Sequence, residues 1–440
     1  MDDVGLQWMF DHSGVLSCPG CGGEMRWSGN DLSCNCGYYF MWSNNFFSIK
    51  NRPDGDNYDK FYTKEYFQSS LYDYTGFRIN KIVNLARPKK GSTILDLGCG
   101  PGEISIRCAK LGAEVFGIDV SRDALRLSAE RSLYENVDVN LFEFDGRRVP
   151  FKDSTFNSII LADVIEHIDD NTLESLMVEC FRLLAPDGRV IMHSSPTKNI
   201  IKLSKIIKKL SHNKLDFYSQ LVNPEYEFLH VRYHSQDSLR RILKRSSLHP
   251  VMWGDFQYLQ DSPLSRIFNL RILRDMFSDQ LWCLAFKDNR APGLKYKDKP
   301  YLNFIDVPSE INLGKSSEPF INRGFHNAEL DSFRWTEKAA SLFINVPEDP
   351  EKIQIELSTS NPDTNIKPVQ VSLFLGKEKV SEFYLADGEF NAYSFKIPER
   401  VKKGITELKI EVDRTFVPKD CGMNDDPREL GVAVYNIKIL

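Results

Sequence analysis

Thr93-Ile94-Leu95-Asp96-Leu97-Gly98-Cys99-Gly100-Pro101-Gly102-Glu103 is the stretch that decides how this chain is read. An apolar run enters a turn with glycine at alternate positions, and a helix-like pattern, Ile104 to Lys110, follows. Glycine lets the backbone bend sharply and approach a ligand without a Cβ in the way. A second apolar run, Val115-Phe116-Gly117-Ile118, ends on Asp119, about 20 residues beyond the glycines, where strand–helix folds place a ribose-binding carboxylate.

Strand-like runs recur outward from this core at Val139–Phe144, Ser158–Leu161, Arg189–His193, Pro250–Trp253 and Leu281–Lys287, with helical patterns between most of them. This alternation predicts an α/β domain over 61–288, Rossmann-like, with a doubly wound and mostly parallel sheet. Residues 289–319 carry prolines and charges without periodicity and read as a linker. From 320 to 440 short strand-like runs alternate with turn residues, which predicts an all-β sandwich. Residues 12–50 are rich in Cys, Gly and aromatics and are expected to form a small separate domain.

Asp-Leu-Gly-Cys-Gly-Pro-Gly at 96–102, with Asp119 after the next strand, resembles the class I methyltransferases, which bind S-adenosylmethionine. The resemblance spans about half the chain, from near Tyr74 to Lys287. It implies that Asp96 and the Gly98, Gly100, Gly102 turn face the methionine part of the cofactor. Asp119 would bind both ribose hydroxyls, since a carboxylate accepts two hydrogen bonds. Val120 would pack on the adenine, Asp145 would accept from its amino group with Gly146 alongside, and Ala162 would line the pocket. The runs Ala162-Asp163-Val164-Ile165-Glu166-His167 and Leu183-Leu184-Ala185-Pro186-Asp187-Gly188 resemble the small-molecule branch, including ubiquinone-type O-methyltransferases.

Methyl transfer to a hydroxyl needs an aligned acceptor and a group that takes its proton. Histidine suits that task near neutral pH. His167 is the first candidate, His230 the second and His193 the third. The competing reading of His167 is a residue that orders the loop or covers the cofactor. Asp163, Glu166 and His167, at i, i+3 and i+4, would share one helical face and form a small metal site.

Residues 196–229 exceed a minimal fold of this kind and are expected to form a lid over the acceptor. Ile200, Leu203, Ile206, Ile207 and Leu210 recur at helical spacing, with Lys202, Lys205, Lys208 and Lys209 between them. Such a helix either packs on the catalytic domain with solvated lysines or meets an anionic membrane surface or phosphate-bearing acceptor.

Nine cysteines are present, and Cys18, Cys21, Cys34 and Cys36 cluster before residue 40. Cys18-Pro19-Gly20-Cys21 is a metal-knuckle spacing, and the run resembles small zinc ribbons that precede some methyltransferases, ribosomal-RNA guanine enzymes among them. It implies a structural Zn2+ on these four thiolates. The second pair is CxC rather than CxxC, so His12 is kept as a substitute ligand. A redox dithiol is the alternative.

In the C-terminal region Phe333-Arg334-Trp335-Thr336 and Glu411-Val412-Asp413-Arg414 resemble β-modules fused to bacterial surface-polysaccharide enzymes. Exposed aromatics there would stack on sugars; the alternative is Trp335 in the core and an Asp413–Arg414 ion pair. The expected function is O-methylation of a sugar or lipid-linked glycan, with a small-molecule, glycan or glycolipid acceptor as partner. The rivals are an RNA base methyltransferase and a non-catalytic cofactor-binding scaffold. A formal net charge of −5 gives no general footprint for nucleic acid. No apolar run approaches membrane-spanning length, and the N-terminal residues do not read as a signal peptide. The cytoplasm is the expected compartment, with peripheral contact at the inner face of the membrane left open.

Overall fold

The computed structural model describes residues 13–50, 76–146, 148–222, 230–256, 267, 271–288, 300–314, 317, 320–326, 328–329 and 332–440. The chain divides near Phe304 into two compact units. The first holds an 11-stranded sheet in the order β1-β2-β3-β4-β7-β6-β5-β8-β9-β11-β10. Its centre is β5 (Thr93–Leu97), β6 (Glu114–Asp119), β7 (Asn140–Glu143), β8 (Phe156–Ala162) and β9 (Leu184–Ser194), all parallel. β11 (Gln280–Phe286) runs antiparallel between β9 and β10 (His249–Asp255). Every residue of β11 is buried, as the near-continuous apolar run of a central strand requires. Leu141 and Phe142, adjacent on β7, enter different apolar clusters, so the strand carries core on both faces.

The chain lays down β5, β6 and β7 in one direction, then crosses back for β8 and β9. The order therefore reverses between β5 and β8, and the crevice beyond the carboxyl ends of these two strands is where doubly wound sheets bind ligands. Helix α1 (Gly76–Ala86) precedes β5; α2 (Glu103–Lys110) follows it and α3 (Arg122–Tyr134) follows β6. Helix α4 (Asp170–Leu183) connects β8 to β9 and α5 (Lys198–Leu210) follows β9. Ser121 caps α3 by accepting from Ala124 N, and Asp169 caps α4 through Asn171 N and Thr172 N.

The separate N-terminal domain expected over 12–50 is corrected. Strands β1 (Arg26–Ser28), β2 (Asp31–Ser33), β3 (Tyr39–Ser43) and β4 (Phe46–Ile49) form an antiparallel meander, and β4 joins β7 in parallel at Phe47 and Phe142. The physical reason lies in the aromatic core. Phe47 stacks on Phe142 at 4.9 Å, Phe40 meets the same ring edge-on at 5.7 Å, and Phe142 meets Phe151 at 5.4 Å. A segment this short cannot bury a core of its own, and it shares that of the main sheet.

The second unit is a nine-stranded sheet of antiparallel pairs, ordered β17-β16-β19-β14-β20-β15-β18. Its members are β12 (Glu310–Asn312), β13 (Ile321–Phe325), β14 (Arg334–Val346), β15 (Lys352–Ser358), β16 (Val369–Leu375), β17 (Glu378–Leu385), β18 (Asn391–Lys396), β19 (Gly404–Val412) and β20 (Ala433–Ile439). Long β14 serves two arms: Ala339–Val346 pair with β19, whereas Arg334 and Trp335 pair with β20. Strict alternation on β16 buries Val369, Val371, Leu373 and Leu375 in a core shared by both arms.

The linker expected at 289–319 is shorter than its composition suggests. Within it β12 pairs with β20, and Ile311 and Leu313 enter the core. Residues 289–299 lie outside the described residues. The expected Asp413–Arg414 pair is not formed: Asp413 accepts Gln370 N at 2.9 Å and Arg414 binds Asp363. Neighbours on a strand end point to opposite sides, so a partner across the sheet is closer than the next residue.

Candidate functional site

The turn after β5 is built by glycine. Gly98, Gly100 and Gly102 have φ of 79°, 50° and 80°. A Cβ on Gly98 would stand 2.5 Å from Val164 Cγ2, and one on Gly102 would stand 2.1 Å from Ser128 Oγ of α3. Gly102→Ala is therefore expected to destabilise the unit by about 2–3 kcal/mol, through both the left-handed backbone and the clash. Urea unfolding checks this; a loss under about 0.5 kcal/mol would show that the turn has room.

Asp119, at the end of β6, ties this turn down. Its Oδ2 accepts Gly100 N at 2.8 Å and its Oδ1 accepts Ser121 N at 2.9 Å, and the residue is only 7% exposed. Asp96 lies behind it, buried, accepting the Ser105 hydroxyl of α2 at 2.6 Å. Burial, reinforced by the Asp119 charge, raises its carboxyl to about 6. Asp145 and Gly146 follow β7; Gly146 is exposed with φ of 81° and Val120 is half-buried. Asp145 Oδ2 accepts the Tyr38 hydroxyl at 3.0 Å. Tyr38 was missed as a site residue, since nothing local links positions 107 residues apart.

Beyond β8 the shared face expected for Asp163, Glu166 and His167 is corrected. Ile165–His167 is a single 3-10 turn rather than the start of an α-helix, and Asp163 precedes it with φ of 55°. Asp163 is thereby aimed at His193, 2.6 Å from Nδ1. His193 is buried against Trp282, ring centroids 4.5 Å apart, which sets it apart from His167. A different trio forms: the ligand atoms of Glu166, His167 and His230 all lie within 4.8 Å of one another. The two imidazoles are 5.2 Å apart, and His230 Nδ1 is 3.4 Å from the Tyr233 hydroxyl. Arg232 N, donating to Glu166 O at 3.0 Å, fastens the His230 segment to this turn. The first two histidine candidates, 63 positions apart in sequence, thus meet next to Val164 and the glycine turn.

On α5, Ile200, Ile201 and Ser204 are buried while Ile206 and Leu210 face outward beside Lys202, Lys205 and Lys209. Lys208 pairs with Asp216 at 2.6 Å, and Lys205 lies over the Tyr218 ring. Residues 223–229 of the expected lid lie outside the described residues.

All four N-terminal cysteines converge, with sulfurs within 4.8 Å of one another. Cys18 faces Cys36 at 3.4 Å and Cys21 faces Cys34 at 3.5 Å. Gly20 N points at Cys18 Sγ and Gly23 N at Cys21 Sγ, at 3.3 and 3.4 Å, as in a metal knuckle. Burial pushes the Cys18 thiol up to about 12, while the Tyr38 backbone N–H holds Cys36 down at about 7. The CxC spacing thus delivers both of its sulfurs. His12 lies outside the described residues.

Residues 94–188 match the family model described as a methyltransferase domain. A ubiquinone biosynthesis O-methyltransferase of Cupriavidus pinatubonensis is 27% identical over 225 residues, 49% of this chain and 81% of that protein. One of the same description from Alkalilimnicola ehrlichii is 31% identical over 122 residues, 28% of this chain and 49% of that protein. Among solved structures, the PH0226 protein of Pyrococcus horikoshii is 19% identical, covering 51% of this chain and 92% of that one, with a TM-score of 0.35.

Proposed function

From the premise that this chain carries a class I S-adenosylmethionine-dependent methyltransferase domain, we propose that it methylates a hydroxyl oxygen of a sugar or lipid-linked glycan. The observation that carries the oxygen assignment is the meeting of Glu166, His167 and His230 beside the glycine turn, at the crevice where the strand order reverses. A histidine held there takes the hydroxyl proton as the oxygen is alkylated. Buried Glu166, with a carboxylate oxygen within 4.8 Å of a ring nitrogen of each histidine, is the group assigned to orient the imidazole. The relatives' description as O-methyltransferases supports the same choice of atom.

The donor set fits the cofactor. Asp119 Oδ2 accepts Gly100 N and Oδ1 accepts Ser121 N, and a carboxylate oxygen accepts more than one hydrogen bond, as ribose binding at this position requires. Asp145 serves the adenine amino group beside Val120 and Gly146; the Gly98–Gly102 turn and Ala162 admit the methionine end. When bound, the cofactor supplies a methyl group on a positively charged sulfur. Asp96 lies nearest that end in this reading, and a cationic ligand favours its ionised form. A carboxyl raised to about 6 must then release its proton on binding. Affinity is expected to fall as pH drops through about 6, by at most about tenfold per unit. Titration calorimetry between pH 5 and 8 checks this. A flat profile, or one unchanged in Asp96→Asn, would remove Asp96 from that role.

The glycan assignment rests on the second unit, where Phe333, Trp335, Phe390 and Tyr435 form a chain of ring contacts at 5.6–6.2 Å. Phe390 and Tyr435 are exposed at 42% and 40%, so they offer faces to a sugar. The lysine-rich outer face of α5, with Ile206 and Leu210 at 54% and 74% exposure, suits a lipid-linked acceptor at the cytoplasmic face of a membrane. Methyl transfer from labelled cofactor to glycolipid, polysaccharide and RNA fractions of the source cell tests the reading. Label in the glycolipid or polysaccharide fraction is expected. Label in RNA alone would reject the substrate class, and cofactor binding without any transfer would favour a scaffold.

A further inference from the structure

We propose that the four-cysteine cluster is a zinc centre that positions the adenine side of the cofactor pocket, acting through Tyr38 and Asp145. The inference rests on the cofactor reading above and adds a control on it.

The cluster suits zinc by its own chemistry. Four thiolates around a tetrahedral zinc at about 2.3 Å place sulfurs about 3.8 Å apart. The observed 3.4 and 3.5 Å pairs, and the 4.8 Å limit for the whole set, bracket that separation. The knuckle amides aimed at Cys18 and Cys21 supply the outer-shell support that thiolate sites use.

What the cluster holds matters more than its presence. Cys34 N donates to Tyr38 O at 2.9 Å, while Gly37 N donates to Cys34 O, closing a tight turn over the second cysteine pair. Tyr38 leaves that turn with its hydroxyl 3.0 Å from Asp145 Oδ2 and its ring edge-on to Phe40 at 5.3 Å. The segment after Asp145 is held by the same N-terminal residues. Ser17 N donates to Pro150 O at 3.0 Å, Ser17 Oγ to Phe151 O at 2.9 Å, and Lys152 N to Val15 O at 2.8 Å. A Cβ on Gly22, inside the knuckle, would stand 2.8 Å from Arg148 Nη1. The described residues of the 144–152 loop therefore lean on the cysteine-bearing segment, whose turns a bound metal would brace beyond what its packing on the main sheet supplies.

The Tyr38 hydroxyl, 3.0 Å from Asp145 Oδ2, sets the orientation of the carboxylate that faces the adenine amino group in this reading. Loss of zinc frees the cysteine turn, and Tyr38 no longer holds the Asp145 carboxylate in register. The cofactor weakens while the parallel strands stay folded. Tyr38 is a positioning residue here, and the thiolates never meet the substrate.

The test uses the full chain loaded with zinc, the same protein stripped by a chelator and reloaded, and Tyr38→Phe. Zinc is counted by mass spectrometry, hydrogen exchange is followed over 144–152, and S-adenosylhomocysteine binding is measured by calorimetry. Wild type and Tyr38→Phe are expected to hold one zinc per chain. Stripping should speed exchange over 144–152 and weaken the ligand tenfold or more, both reversed by zinc. Tyr38→Phe should weaken it about three- to tenfold and raise the cofactor KM with kcat unchanged. The Tyr38→Phe loss should vanish for an analogue lacking the adenine amino group, which a general loosening of the fold would not reproduce. Unchanged exchange and affinity after stripping would overturn the coupling, as would a Tyr38→Phe loss equal for both ligands. Metal-dependent exchange in a protein that binds no adenosyl ligand would instead defeat the cofactor reading and leave the metal site standing.

Discussion

Replacing Asp119 with Ala is expected to weaken S-adenosylmethionine about 100-fold or more. A carboxylate accepting two ribose hydroxyls makes two charge-assisted hydrogen bonds, each contributing about 1.5–3 kcal/mol. Losing both amounts to at least about 3 kcal/mol, or roughly two powers of ten in Kd. The substitution also strips partners from Gly100 N and Ser121 N, so part of the loss would pass through a loosened turn. A cycle separates the two contributions. Removing the ribose 2′-hydroxyl from the ligand should cost wild type about tenfold and cost Asp119→Ala little. Calorimetric affinities within threefold of wild type, or equal 2′-hydroxyl effects in both proteins, would take Asp119 out of the ribose site.

The sequence disclosed what is local. Strands β5 and β6 fall at Thr93–Leu97 and Glu114–Asp119, the ranges that apolar runs between turn residues predict, because both are buried on two faces and bounded by glycine or an acid. The glycine turn was legible for the same reason, since few other residues accept φ near 80°. Spacing misled where a turn changed type. Asp163, Glu166 and His167 share a face only in an α-helix; a three-residue 3-10 turn sends Asp163 to His193 and leaves His167 to meet His230. Domain limits misled where core was shared. Residues 12–50 read as separate by composition, but Phe40 and Phe47 pack on Phe142 of the central sheet. Pairings such as Tyr38 with Asp145 leave no local trace at all.

The converging histidines make the sharpest mechanistic prediction. Positioned general bases contribute about 10²- to 10⁴-fold, so His167→Ala is expected to lower kcat at least about 100-fold while the Kd for S-adenosylmethionine stays within about twofold. His230 is 5.2 Å from His167, ring to ring, and His230→Ala should act more weakly if it serves to orient its neighbour. The double variant should then cost little more than His167→Ala alone, because residues that work as a unit are not additive. At saturating cofactor, the acid limb of the kcat profile should disappear in His167→Ala, since a base that is absent cannot be protonated. His193 supplies the control: buried between Asp163 and Trp282, it should cost stability when replaced without abolishing the acid limb. A normal rate in His167→Ala ends its candidacy. A large loss confined to His230→Ala would move the base to the other ring of the pair, and losses in cofactor Kd alone would make both histidines part of the pocket wall rather than of the chemistry.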